Sequence, residues 1–183
     1  QKQYFFNHPD ILLIDQDDCH EIIVKPHSLS FNSNKAQNQL FNIIKDKQYK
    51  KIVLSDEEFS GNIHSGGNGG FVSKEIADRL FNIFSKTNYK IVIFIRNQYD
   101  IIESSYRQYL KVGGINSFKD YLFPPEEEHR RPMFSFEHFK YNKLIKYYYR
   151  KFGQKNINIF FYEDFKMNNE KFIQNFENEL DIN

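Results

Sequence analysis

Two rhythms of apolar and polar positions alternate along the chain. Short runs rich in Ile, Val and Phe stand at "ILLI" (11–14), "EIIVK" (21–25), "KIVLS" (51–55), "KIVIFI" (90–95) and "INIFFY" (157–162). Their length and β-branched content predict strands. The last three are nearly continuous apolar runs, the pattern of strands covered on both faces, as in a parallel sheet. Between the runs, apolar residues recur at helical spacing. Ala36, Leu40, Phe41 and Ile44 share one face, as do Ile76, Ala77, Leu80, Phe81 and Phe84, and then Ile101, Ile102, Ser105 and Tyr109. Further stripes stand at Phe139, Leu144, Ile145, Tyr148 and Phe152, and at Phe172, Ile173, Phe176 and Leu180.

Strand followed by helix, repeated, predicts an α/β fold with a central parallel sheet. Crossovers in such sheets are right-handed, and ligands sit beyond the carboxyl ends of the strands. The residues to inspect are therefore Ser55 to Glu58, Arg96 with Asn97, and Tyr162 to Asp164. Two segments read as long loops on one body: "SGNIHSGGNGGFVS" (60–73), with five of the eight glycines, and "FPPEEEHRRPM" (123–133), with three of the five prolines. No repeat or linker divides the chain, so residues 1–183 are expected to form a single domain.

Charge narrows the function classes. With 25 Lys and Arg against 24 Asp and Glu, no global field draws the protein to nucleic acid or to a membrane surface. The "YYYRKF" run (147–152) places Tyr148 and Phe152 in a buried stripe, so it reads as core and not as a base-stacking platform. The lone Cys19 excludes an internal disulfide and fits a reducing compartment. No apolar run approaches the roughly 20 residues of a transmembrane helix, and the N-terminus lacks the layout of a secretory signal. The expectation is a cytoplasmic protein without an integral membrane segment; the oligomeric state is not legible.

The segment "KIVIFIRNQYDIIESSYRQYLKVGG" (90–114) concentrates the chemistry. Asn97 is placed to cap the helix that starts at Gln98, and Asp100 stands where a capping-box acid reaches back. A helix N-terminus offers unpaired N–H groups to an anion, and Arg96 adds a planar fork of donors that matches phosphate oxygens. Ser104 supplies a hydroxyl eight positions on. The structural alternative is an Arg96 ion pair with Glu103 or Asp100 at a sheet rim.

"IRNQYDIIESSYRQYLKVGG…SFKDYL" resembles the 3′-phosphate-binding segment of the PAPS-dependent sulfotransferases, where an Arg after a strand and a Ser eight residues later grip the donor's 3′-phosphate. "IVLSDEEFSG" (52–61) is similar to a strand and "S-x-E" segment of bacterial members, and "INIFFYEDFKMNNEKFIQNF" (157–176) resembles their late "YED" element. The likeness runs from about Tyr4 to Leu180. It implies a three-layer sandwich like that of the P-loop kinases, PAPS (3′-phosphoadenosine 5′-phosphosulfate) as donor, no metal, and a carbohydrate or small-molecule hydroxyl as acceptor. By residue, it implies donor contacts from Arg96 and Ser104 and nominates Glu57 as the base, with His64 as the alternate. Tyr162 ends the last strand, its ring placed either against the adenine or in the core. Glu163 and Asp164 are expected to organise the turn.

One departure stands out. The family's "PKTGTT"-like loop for the 5′-phosphosulfate has no counterpart, and "QKQYFFNHPDILLI" looks like the tail of the first helix and the second strand, which lie beyond that loop. Either the sequence starts downstream of the loop, the expectation that the missing initiator methionine favours, or the protein does not hold the sulfuryl group. The "SGGNGG" stretch lacks a P-loop's Lys-Ser/Thr ending and reads as a mobile loop or acceptor-side lid. "HRRP" beside Glu126, Glu127 and Glu128 reads as mutually neutralised charge. Two alternatives to the enzyme remain open at this point: an inactive member that binds nucleotide or glycan, and a kinase of the related fold, whose Walker lysine and magnesium ligands are not found.

Overall fold

In the computed structural model, residue 5 and residues 7–61, 72–125 and 134–182 are described. They fall into two compact units, one gathering the chain up to Gly61 with Val72–Lys86, the other running from Thr87 to Ile182.

The first unit is built on a parallel pair, β1 (Ile11–Ile14) and β2 (Lys51–Leu54), in the register Ile11↔Lys51 to Ile14↔Leu54. Parallel strands cannot be joined by a tight hairpin, so the chain crosses over through helices. Asp15 caps α1 (Gln16–Cys19) by accepting from the Asp18 amide at 2.8 Å. The helix continues as a π turn over His20–Val24. Asn32 likewise caps α2 (Ser33–Ile44) through the Lys35 amide. α3 (Ser73–Phe84) packs on α2, where the Gln37 side-chain amide donates to the Ile83 carbonyl at 3.0 Å. Ile14, Cys19, Ile23, Ala36, Leu40, Ile76, Ala77 and Ile83 form the buried core, and each large aliphatic side chain taken out of water contributes about 1.5–3 kcal/mol.

The strand expected at 21–25 is helical. Cys19, Ile22 and Ile23 are all buried, and their i, i+3, i+4 spacing is that of one helical face. Glu21 and Lys25 pair across one turn at 2.6 Å. An apolar run this short carries no periodicity of its own, and the helix is supported from outside it, by the Asp15 cap upstream and by Arg79 on the carbonyls at its end.

Pro26 cannot continue the helix, and a guanidinium takes up its last carbonyls. Arg79 of α3 is buried and donates from Nη1 to the carbonyls of Ile23 (2.6 Å) and Val24 (3.0 Å), and from Nη2 to that of Pro26 (2.7 Å). It also pairs with Glu75 and lies 4.5 Å over the Phe31 ring.

The second unit repeats the theme. β3 (Ile91–Ile95) and β4 (Ile157–Phe161) are parallel, from Ile91↔Ile157 to Ile95↔Phe161. α4 (Gln98–Lys111) leaves β3, followed by α5 (Phe118–Leu122), a 3-10 turn at Phe136–Phe139 and α6 (Tyr141–Phe152). Gly153, at φ 81° and ψ 135°, adopts a positive-φ conformation open mainly to glycine, which ends α6 and turns the chain towards β4. α7 (Tyr162–Met167) and α8 (Asn169–Glu179) close the unit.

Its core is aromatic. Phe160 packs against Phe94 at 5.7 Å and Phe176 at 5.1 Å. Elsewhere Tyr121, Phe134 and Phe139 are buried together, with Ile101, Ile102, Tyr106, Tyr109 and Tyr141 against them. Tyr148 and Phe152 are buried, as their stripe requires. No helix among the described residues is long and apolar enough to cross a membrane.

Replacing Arg79 by Met keeps the stem and removes the donors. That leaves three main-chain carbonyls without their partner, and the expected cost is about 2–4 kcal/mol, seen as a lower urea midpoint. A midpoint within error of the parent would show that water satisfies those carbonyls equally well.

Candidate functional site

Each strand pair delivers polar residues at its carboxyl end. In the second unit, the register that sets Ile95 against Phe161 places the next residues, Arg96 and Tyr162, side by side, and after them Asn97 and Glu163. The half-buried Arg96 carries its guanidinium 5.1 Å over the Tyr162 ring, within the range of a cation–π contact. Its Nε is buried without a hydrogen-bond partner among the described residues. A buried donor left unpaired is costly, and a bound ligand or water is one way to satisfy it.

The main chain beside it is held tightly. The Asn97 amide donates to Glu163 Oε1 at 2.8 Å, and the Arg96 carbonyl accepts from the Tyr141 hydroxyl at 3.2 Å. Asn97 caps α4 by accepting from the Tyr99 amide at 2.9 Å, and the Gln98 side chain donates to the Phe139 carbonyl at 2.7 Å. The hydrogen bond from Asn97, one from its own backbone, and the nearby Arg96 and Lys166 hold the Glu163 carboxyl below the usual range. Burial and the Glu163 charge push the Tyr141 phenol up, partly offset by Arg96.

Ser104 is exposed on α4. Seven residues after Asn97 it lies on nearly the same helical face, about 10 Å further along the axis. At that separation nothing among the described residues brings the Ser104 hydroxyl into contact with Arg96. Glu103 pairs with Arg107 at 2.6 Å, so it is not the counterion of Arg96.

In the first unit, β2 runs out into Ser55 and Asp56, with a 3-10 turn next at Glu57–Ser60. Glu57, its first residue, is exposed. Asp56 beside it is the unexpected member. Its side chain is fully buried, Oδ1 accepts from the Glu58 amide at 2.8 Å, and Oδ2 has no hydrogen-bond partner among the described residues. His20 Nδ1 stands 3.8 Å from Asp56 Oδ2 and 3.6 Å from Glu58 Oε2, beyond hydrogen-bond reach but close enough for charge to be felt. Burial pushes the Asp56 carboxyl up; the Glu58 amide and His20 pull it back, while Glu58 and Glu57 add to the rise. Burial likewise pushes the neighbouring Cys19 thiol up to about 12, so it stays a protonated core residue.

His64, the glycine-rich stretch around it and "HRRP" lie outside the described residues. Among the described residues no group of three His, Cys, Asp or Glu side chains is arranged to hold a metal ion. Sequence reasoning missed Asp56, His20 and Tyr141. Asp56 lies within the strand exit that the pattern points to, but its burial is not visible in a run of three acids; His20 and Tyr141 carry no local signal.

A carboxyl whose folded pKa is raised favours the native state at low pH and loses that contribution as pH rises through the folded pKa. The native protein should therefore bear the cost of the Asp56 charge at neutral pH. Asp56→Asn keeps the acceptor for the Glu58 amide and is expected to raise the urea midpoint at pH 7, with the gain fading as pH falls towards the unfolded value of about 4. An equal or lower midpoint at pH 7 would mean that the His20–Asp56 attraction outweighs the cost of burial.

A scan against protein-family models finds no match, and neither does a search of curated protein sequences. Among solved structures, the crystal structure of a sulfotransferase from Alicyclobacillus acidocaldarius is similar, with a TM-score of 0.71 and 18% sequence identity, over 100% of this chain and 75% of that one. That identity carries the architecture and no more: the chain has the fold of a sulfotransferase.

Proposed function

We propose that this protein is a PAPS-dependent sulfotransferase, a single α/β domain of the three-layer type, which moves a sulfuryl group to a hydroxyl of a carbohydrate or another small acceptor. The observation that carries the reading is Arg96. It stands at the carboxyl end of a parallel strand, its guanidinium is held over an aromatic ring, and its Nε lacks a partner among the described residues. The likeness of fold supports the same reading.

In this mechanism Arg96 and the exposed Ser104 hydroxyl hold the 3′-phosphate of the donor, and Tyr162 supports Arg96 at the edge of the nucleotide. The acceptor oxygen attacks sulfur in line. As the new S–O bond forms, the bond from sulfur to the 5′-phosphate oxygen breaks, and the acceptor's proton passes to the Glu57 carboxylate, with His64 as the alternate base. The products are the sulfate ester and 3′-phosphoadenosine 5′-phosphate. As in phosphoryl transfer, positioning and charge neutralisation do most of the work, so an exposed carboxylate suffices as base.

Calorimetric titration with PAPS, 3′-phosphoadenosine 5′-phosphate and ATP tests the donor. ATP, without a 3′-phosphate, should bind weakest, and equal affinity for all three would overturn the reading. Arg96→Ala should remove most of the preference, roughly 10–100-fold in affinity for one charge-assisted phosphate contact; a preference that survives unaltered would place the site elsewhere.

A further inference from the structure

The peptide unit between Arg96 and Asn97 is gripped at both ends. Its carbonyl accepts from the Tyr141 hydroxyl, and its N–H donates to the Glu163 carboxylate. Residues 96 and 163 belong to adjacent strand exits, whereas Tyr141 opens α6 and packs its ring on the Tyr121, Phe134 and Phe139 core. Two independent elements therefore fix one peptide plane. On the other side of Arg96, Ile95 is locked in the strand ladder opposite Phe161. The Cα of Arg96 is thus constrained from both directions, and the direction of its Cα–Cβ bond with it. Tyr162, next in sequence to Glu163, holds the far end of the same side chain.

We propose that Tyr141 and Glu163 are positioning residues that aim the Arg96 guanidinium at its anionic ligand, the inference resting on the donor-binding reading above. The physical gain is preorganisation. An arginine ordered only on binding gives up much of its rotamer freedom at that moment, whereas one held beforehand does not. Neither residue needs to touch the ligand. Glu163 serves through its contact with the main chain, which engages the Asn97 amide and leaves a ligand phosphate to the side chains of Arg96 and Ser104.

The test uses the full chain with four variants: Tyr141→Phe, which keeps the ring in its packing and removes the hydroxyl; Glu163→Ala; Glu163→Gln, which restores an acceptor; and Arg96→Ala as reference. Affinities for 3′-phosphoadenosine 5′-phosphate and AMP are measured together with hydrogen exchange at the Asn97 amide. Tyr141→Phe and Glu163→Ala are expected to weaken the 3′-phosphorylated nucleotide about 5–10-fold while leaving AMP unchanged. Asn97 exchange should speed up in both, with Glu163→Gln recovering part of each effect. Faster exchange with an unchanged ratio of the two affinities would overturn the inference, as would unchanged exchange. If the parent protein itself shows no preference for the 3′-phosphate, the donor assignment fails by itself. The aiming of Arg96 is then judged from its Nε resonance in the nuclear magnetic resonance spectrum: a shift in Tyr141→Phe supports it, and an unmoved resonance overturns it.

Discussion

The parallel register that sets Ile95 against Phe161 is the constraint on which the candidate site depends. Side by side and running the same way, two strands also end side by side, and the residues that leave them must meet before their helices diverge. Arg96 therefore finds Tyr162, and Asn97 finds Glu163, although 66 positions separate each pair. The same geometry acts in the other strand pair, where Asp15 and Asp56 lie just past the ends of β1 and β2 and each caps the turn that begins there. A parallel pair thus concentrates polar side chains at one end without any of them being near in sequence.

Apolar packing behind the exits holds them in place. The aromatic rings of Phe94, Phe160 and Phe176 seat the second strand pair, and the Tyr121, Phe134 and Phe139 cluster seats the helices that come after β3. Tyr141 belongs to both worlds, with its ring against the core and its hydroxyl on the Arg96 carbonyl. Phenolic side chains suit this place because they join a large apolar face to a donor at the tip. In the first unit a guanidinium does the equivalent work. Arg79 binds the end of a helix that proline has stopped, so that the turn from His20 to Val24 stays against the core.

The two strand exits differ in how their polar groups are satisfied. Around Arg96 the main chain is engaged at both carbonyl and amide, and the unmet group is a side-chain donor. Around Asp56 the unmet group is an acceptor oxygen inside the protein, with His20 just beyond bonding distance. Buried polar atoms without partners are uncommon in folded proteins. Arg79 Nε, Tyr121 Oη and Asn158 Oδ1 share that state away from the strand exits, so the functional reading rests on where Arg96 and Asp56 stand, beyond the carboxyl ends of parallel strands, where ligands bind in open α/β sheets.

By itself the sequence determined the α/β class, four of the five expected strands, the amphipathic helices and the strand exits at which polar residues gather. Those features are local: an apolar run, a 3.6-residue stripe and a capping Asp or Asn act over a few residues and can be read there. The run at 21–25 misleads because two buried isoleucines fit a strand or a helix equally, and the choice lies with Asp15 upstream and Arg79 far downstream. Only the tertiary structure decided that Asp56 is buried while Glu57 beside it is exposed, that Glu163 accepts from the Asn97 amide, and that Tyr141 holds the Arg96 carbonyl. Each of these depends on strand register and on packing between distant segments, and no pattern along one chain records which strand lies next to which.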